Sequence, residues 1–248
     1  MGITINSALL ETLSQEFGPT EVEAGQFFLA WNSVVTLAYQ GFSSILQCLK
    51  KRLAEELEKD GVLLQPENPG SLWPKTTLGC LREGQELTPA ETKQMRELCT
   101  EFNEQLNSLP SANRTMSITE LRLVVFECRT LENRLLEVPF SLQGQSKTPD
   151  SPEGDHVKKV RETMDQFAAE RLDEYYIRLA SGGRTIDTYY RCTHPETTLI
   201  AKAAWPKALS RLVDAFIWKV DSEDGVPKRF AWFDPGSRHM TVRALVPR

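Results

Sequence analysis

Arg229-Phe-Ala-Trp232-Phe-Asp-Pro235-Gly-Ser-Arg-His239-Met-Thr241-Val-Arg243-Ala-Leu245 reads as two strands joined through a Pro-Gly turn, the second carrying a histidine and a threonine two residues apart. Side chains alternate along a strand, so His239 and Thr241 emerge on one face. An imidazole beside a hydroxyl suits a phosphate group, the first moving a proton and the second donating a hydrogen bond. Further back, the charged loop 221–225 follows a helix that Pro206 opens. Leu209, Leu212, Val213, Phe216, Ile217 and Val220 share one face of that helix. Before it, Thr197–Trp205 reads as a strand. Earlier still, apolar residues from Val157 to Leu179 mark a long helix ending at Ser181-Gly-Gly183. Strand, helix, strand and strand make residues 156–248 a small α+β unit with an antiparallel or mixed sheet.

Residues 1–140 predict a mainly helical domain, and 141–155, rich in Ser, Gln, Gly, Pro and Asp, a linker or mobile loop. Thr20-Glu-Val-Glu23 fits a capping box ahead of the apolar run Phe27–Tyr39. Phe42, Ile45, Leu46, Leu49, Leu53 and Leu57 recur at helical spacing up to Asp60-Gly61. Thr88-Pro89-Ala90-Glu91 starts a helix whose buried stripe is Met95, Leu98, Cys99, Phe102 and Leu106. Ser117-Ile-Thr-Glu120 caps another, with Leu121, Val124, Val125, Cys128, Leu131 and Leu135 inward. Residues 65–79 read as a loop pinned by Trp73. Within them Lys75-Thr76-Thr77 invites a phosphate reading, but Pro74 precedes the lysine and the GxxxxGK frame is absent. Tyr189 or Tyr190 is expected to pack onto the sheet.

The 248 residues are 40% hydrophobic and 25% charged, which is ordinary globular material. A net charge of −5 argues against a general nucleic-acid binder. The charge is uneven: residues 1–150 carry 13 Lys/Arg against 20 Asp/Glu, residues 151–248 carry 16 against 14, and the latter do not repel a phosphate. Five widely spaced cysteines without a CxxC pair argue for free thiols in a reducing, cytoplasmic setting. No apolar run approaches a membrane span, and no secretory leader is apparent. Three histidines without clustered acids supply no metal-ligand set, and dinucleotide and GxSxG fingerprints are missing.

The order of strand, helix, Trp232-Phe-Asp-Pro235 and His239-Met-Thr241 resembles the first half of the 2H phosphoesterase superfamily, which includes LigT-like RNA ligases and cyclic phosphodiesterases. The resemblance runs over about residues 194–245, under a quarter of the chain. It implies two His-x-Thr/Ser motifs from pseudo-symmetric halves facing each other across a cleft. One histidine is base and the other acid on a 2′,3′-cyclic phosphate, and the hydroxyls hold its oxygens. His239 is then a proton-transfer group, Thr241 a phosphate donor, and Arg243 and Trp232 substrate neighbours. No metal or other cofactor is implied, and the ligand is an RNA end or a small nucleotide.

The partner histidine is missing: His194 lies in His194-Pro-Glu-Thr197, spaced three and ahead of the first strand, and reads as a turn residue. The closing Leu245-Val-Pro-Arg248 spells the N-terminal side of a thrombin site, and the resemblance places a second half beyond it. The expectation is an incomplete, weakly active metal-independent phosphodiesterase. The alternative is a non-catalytic protein whose helical domain binds a protein partner.

Overall fold

Val22 and Ala24 are buried while Glu21 and Glu23 are not, and this period of two makes Thr20–Leu29 a strand, β1, not a capped helix. The computed structural model describes residues 6–30, 33–67, 73–145, 152, 154–165, 173, 185–191, 194–223 and 225–245. Its further strands are β2 (Val35–Tyr39), β3 (Lys75–Leu81), β4 (Thr115–Ile118), β5 (Glu120–Phe126), β6 (Arg134–Ser141), β7 (Glu196–Lys202), β8 (Phe230–Trp232) and β9 (His239–Ala244). The helices are α1 (Ser7–Glu16), α2 (Ser44–Lys59), α3 (Pro89–Ser108), α4 (Ser111–Arg114), α5 (Gly154–Asp165), α6 (Ile186–Tyr190) and α7 (Lys207–Asp221).

A mainly helical N-terminal domain is therefore not what these residues form. All nine strands among the described residues join one curled antiparallel sheet in the order β4-β1-β2-β3-β9-β7-β5-β6, with β8 pairing β3. That sheet runs across the positions at which composition sets domain limits. The helical expectation fails at short apolar runs, where three- and four-residue steps also satisfy a strand buried on both faces. Leu121 to Phe126 is such a run: Leu121 and Leu123 face one side, and Val124 and Phe126 the other. Where the periodic run is long the helices stand. In α2 every expected leucine is buried, and Gly61 beyond its end has φ +80. In α3 the Thr88–Glu91 capping box is complete. The loop read over 65–79 ends early, because Lys75 already pairs with β2. Most of the long helix expected beyond Asp165, its stop at 181–183, and residues 146–151 of the linker lie outside the described residues.

The sheet repeats itself. β1, β2, α2 and β3 in one half correspond to β5, β7, α7 and β9 in the other, and the halves meet where Thr76 pairs with Met240. On the β2–β3 side Thr36 pairs with Thr77 and Val35 with Gly79, so Leu78 is an extra, bulged residue. On the β7–β9 side Ile200 pairs with Thr241 and Leu199 with Arg243, so Val242 is bulged in the same way. A two-fold axis through the Thr76–Met240 pair thus superposes Lys75-Thr76-Thr77 on His239-Met240-Thr241.

The main core lies on one face of the sheet, where α2, α3 and α7 bury Leu46, Leu49, Phe102, Leu209 and Phe216 against Phe27, Leu37 and Val242. Each such side chain contributes roughly 1.5–3 kcal/mol of transfer free energy. Phe27 stacks on Phe216 at 4.6 Å. The second face is covered in part. Val160 and Met164 of α5 pack on Phe28, Ala38 and Trp73, and Tyr189 of α6 packs on Phe233 and Cys80. His156 docks α5 by accepting a hydrogen bond from the Phe42 N–H at 3.3 Å.

Candidate functional site

β9 begins at His239 because the Pro235–Ser237 turn, capped by Asp234, delivers the chain there. Met240 and Val242 enter the main core, so His239 and Thr241 take the second face. The partners of β9 on β7 set their neighbours: Lys202 stands opposite His239 and Ile200 opposite Thr241. One strand further, Arg122 stands opposite Ile200. Arg122, Arg134 and Lys202 converge on Glu137 of β6, with Lys202 at 3.7 Å.

His239 is half-buried, and its Nδ1 lies 2.9 Å from the Ser237 carbonyl oxygen. A carbonyl only accepts, so Nδ1 carries the proton and Nε2 is left as the acceptor. Desolvation pushes the imidazole down to about 4; the Ser237 hydrogen bond opposes this and the Arg134 charge adds to it. Arg134 is close because its Nη2 donates to the Gly236 carbonyl at 3.2 Å. Glu137 is also partly desolvated, which by itself raises a carboxyl. Hydrogen bonds and charges from Arg122 and Arg134 outweigh this and hold it at about 2.

The antiparallel register at Thr76–Met240 brings Lys75 beside Thr241 and Thr77 beside His239, all four on the second face. Lys75 and His239 are diagonal neighbours, about 7–8 Å apart at the backbone. The lysine Nζ lies 4.2 Å above the Trp73 ring. Beneath the patch, Tyr39 of β2 ties Thr76 in place: its hydroxyl bonds Thr76 Oγ1 at 2.9 Å and accepts from Trp205 Nε1 at 2.8 Å.

No family profile, curated protein or solved structure matches this chain. The site stands on its geometry alone.

The remaining residues expected at the site are elsewhere. Trp232 points to the helix-covered side, where its Nε1 donates to Asp221 at 2.8 Å. The Val242 bulge turns Arg243 the same way; it donates to the Gln65 carbonyl at 2.8 Å and sits 3.5 Å from Glu67. His194 is exposed beyond the opposite end of β7, in a shallow cleft with Glu127, Tyr190 and Arg191. Neither that cleft nor a second one between α3 and α5 is lined by His239. Among the described residues no cluster of His, Cys, Asp or Glu could hold a metal ion, and no helix is long and apolar enough to cross a membrane. Cys48, Cys80, Cys99 and Cys128 are free thiols, and burial raises Cys80 and Cys99 to about 12.

Lys75 and Thr77 were legible as a pair. Lys75-x-Thr77 has the spacing of His239-x-Thr241, and that shared spacing is the signal the sequence carries.

Proposed function

We propose that Lys75, Thr77, His239 and Thr241 bind a phosphate ester, and that this chain is a 2H-type phosphoesterase-like protein acting on RNA 2′,3′-cyclic phosphate ends or small nucleotides. The reading rests on the two-fold relation that sets Lys75-x-Thr77 against His239-x-Thr241. The second half implied by the resemblance is then supplied from within the chain, by β1–β2–α2–β3, with lysine in the histidine's place.

In the reaction a water attacks phosphorus and gives a proton to His239 Nε2, the acceptor left by the Ser237 hydrogen bond. The threonine hydroxyls donate to the phosphoryl oxygens, and the Lys75 ammonium balances the charge that builds there. As the bond from phosphorus to one ribose oxygen breaks, that oxygen takes a proton from Lys75; His239 then releases its proton to solvent and Lys75 regains one from it. Lysine is a weak acid at neutral pH, so turnover falls short of a two-histidine site by about 10²–10⁴.

The test is a titration with 2′,3′-cyclic AMP of the wild type beside Lys75→Ala, His239→Ala and Thr241→Ala. Saturable binding that each substitution weakens about tenfold is the expected result. A wild type that does not bind the cyclic nucleotide removes the reading.

A further inference from the structure

We infer that Lys202 holds a second phosphate of the ligand, carried on the 5′ oxygen of the nucleotide whose cyclic phosphate lies in the patch. This rests on the phosphate reading of Lys75, Thr77, His239 and Thr241, and adds a direction to it. The patch alone has none, because the two-fold axis relates its halves. The strands on either side break that symmetry. β7 places Lys202 opposite His239, whereas β2 places Ala38 opposite Lys75, so Ala38 and Lys202 hold equivalent positions in the two halves. Ala38 is buried against Trp73 and Val160 of α5. Lys202 keeps 39% of its side chain accessible. A ligand leaving the patch on the β2 side meets packed apolar side chains; one leaving on the β7 side meets an ammonium group.

The neighbouring cations are committed elsewhere. Arg134 donates to the Leu131 carbonyl at 2.7 Å, to Glu137 at 2.6 Å and to the Gly236 carbonyl at 3.2 Å. Arg122 is divided between Glu120 and Glu137. Both guanidiniums are thereby fixed to the sheet. Among the described residues Lys202 reaches only Glu137, at 3.7 Å and at the same Oε1 that Arg122 holds. That separation is too long for a hydrogen bond, so the carboxylate does not take up the three donors of the ammonium. Directly opposed side chains on one face of an antiparallel pair start about 5 Å apart. One ribose ring separates a 5′ oxygen from a 2′,3′-phosphate, a span that an extended lysine on the adjoining strand covers.

Titrations with 2′,3′-cyclic AMP, its 5′-phosphorylated form and the dinucleotide ApA ending in a 2′,3′-cyclic phosphate test this. The last two carry the 5′-phosphate as a free monoester and as an internucleotide diester, and the tighter of them tells which source the site takes. At least one is expected to bind the wild type about tenfold more tightly than 2′,3′-cyclic AMP. Lys202→Gln keeps the stem and removes the charge, and is expected to bring the ligands to within about twofold of one another. Lys202→Arg is expected to retain the preference, which separates the charge from any structural part the residue plays. The preference is also expected to shrink as salt is raised. Equal binding of all the ligands by the wild type, or a preference that survives Lys202→Gln, overturns this inference and leaves the patch standing. A wild type that binds none of them removes the patch reading and this inference with it.

Discussion

Leu78 and Val242 hold the same place in the two halves of the sheet: each is the extra residue of a bulge, one position beyond the threonine that faces the candidate site. A bulge bends its strand and re-aims the side chains beyond it. After Leu78 comes Gly79, which pairs with Trp232 of β8; after Val242 comes Arg243, which turns toward Glu67. The two bulges therefore bound the patch of Lys75, Thr77, His239 and Thr241, and end it at matching points on β3 and β9.

Gly79 is held to glycine by this arrangement. A Cβ there would lie 2.6 Å from the Ala231 carbonyl oxygen and 2.8 Å from the Trp232 ring. The nearer atom is backbone and cannot rotate away. Gly79→Ala is expected to part β8 from β3 and cost about 2 kcal/mol or more, as for other steric intrusions into a packed interior. Urea unfolding monitored by Trp fluorescence measures it, and a loss under about 0.5 kcal/mol contradicts the close approach.

Tyr39 carries a different load. It is fully buried, its phenol is pushed up to about 12 by desolvation, and its hydroxyl serves both Trp205 and Thr76. Tyr39→Phe removes one oxygen and strands two polar partners. The expected cost is about 1–3 kcal/mol. Because Thr76 sits between Lys75 and Thr77, affinity for 2′,3′-cyclic AMP is expected to fall as well. Thr76→Val in the same background is expected to recover part of the stability, since the pair of changes removes both ends of one hydrogen bond.

The strand carrying His239, the helix before it and the capped helix at Thr88 were legible because each shows one clear signal: alternation, a long 3.6-residue period, or a cap with Pro and Glu in place. β1, β5 and β6 were not. Thr20-Glu-Val-Glu23 satisfies a capping box and an alternating strand equally, and the choice is made by Ile118 and Met116 lying alongside in β4, a contact about 95 residues away. At the site, His239 and Thr241 followed from period two alone. Trp232 and Arg243 did not, because a bulge and the one-sided packing of β8 set their faces, and neither leaves a mark in composition. The two-fold repeat was invisible for a related reason: it is preserved in register and bulge position, and Leu37 corresponds to Ala201 with no likeness of side chain.

His239 makes stability depend on pH in a set direction. Its folded value of about 4 lies below the ordinary 6.5, so between these the unfolded chain binds the extra proton. Stability therefore falls as pH drops from about 6.5 toward 4, by up to about 3 kcal/mol, and nothing is gained above 6.5. Glu137, held at about 2, acts below its ordinary 4.5 and so adds nothing to the change between pH 6.5 and 4.5. Urea midpoints of wild type and His239→Gln at pH 7 and 5 are expected to show a drop in the first and a smaller one in the second. Equal drops mean that the imidazole is not desolvated.

Lys75→His tests the two-fold reading from the other side. The axis through Thr76 and Met240 places residue 75 where 239 stands in the opposite half, with Thr77 matching Thr241. The substitution gives each half a His-x-Thr and exchanges a weak acid for an imidazole that titrates near neutrality. Lys75 is on the face of β3 away from the main core, so the change leaves that core untouched. If proton transfer limits the reaction, hydrolysis of 2′,3′-cyclic AMP is expected to rise by about 10²-fold or more over wild type, and to acquire a bell-shaped pH profile. The gain is expected to vanish when His239→Ala is added, since one proton-transfer group alone does not make the pair. Unchanged hydrolysis in Lys75→His, with binding retained, would show that residue 75 holds the phosphate without standing in line to protonate the leaving oxygen.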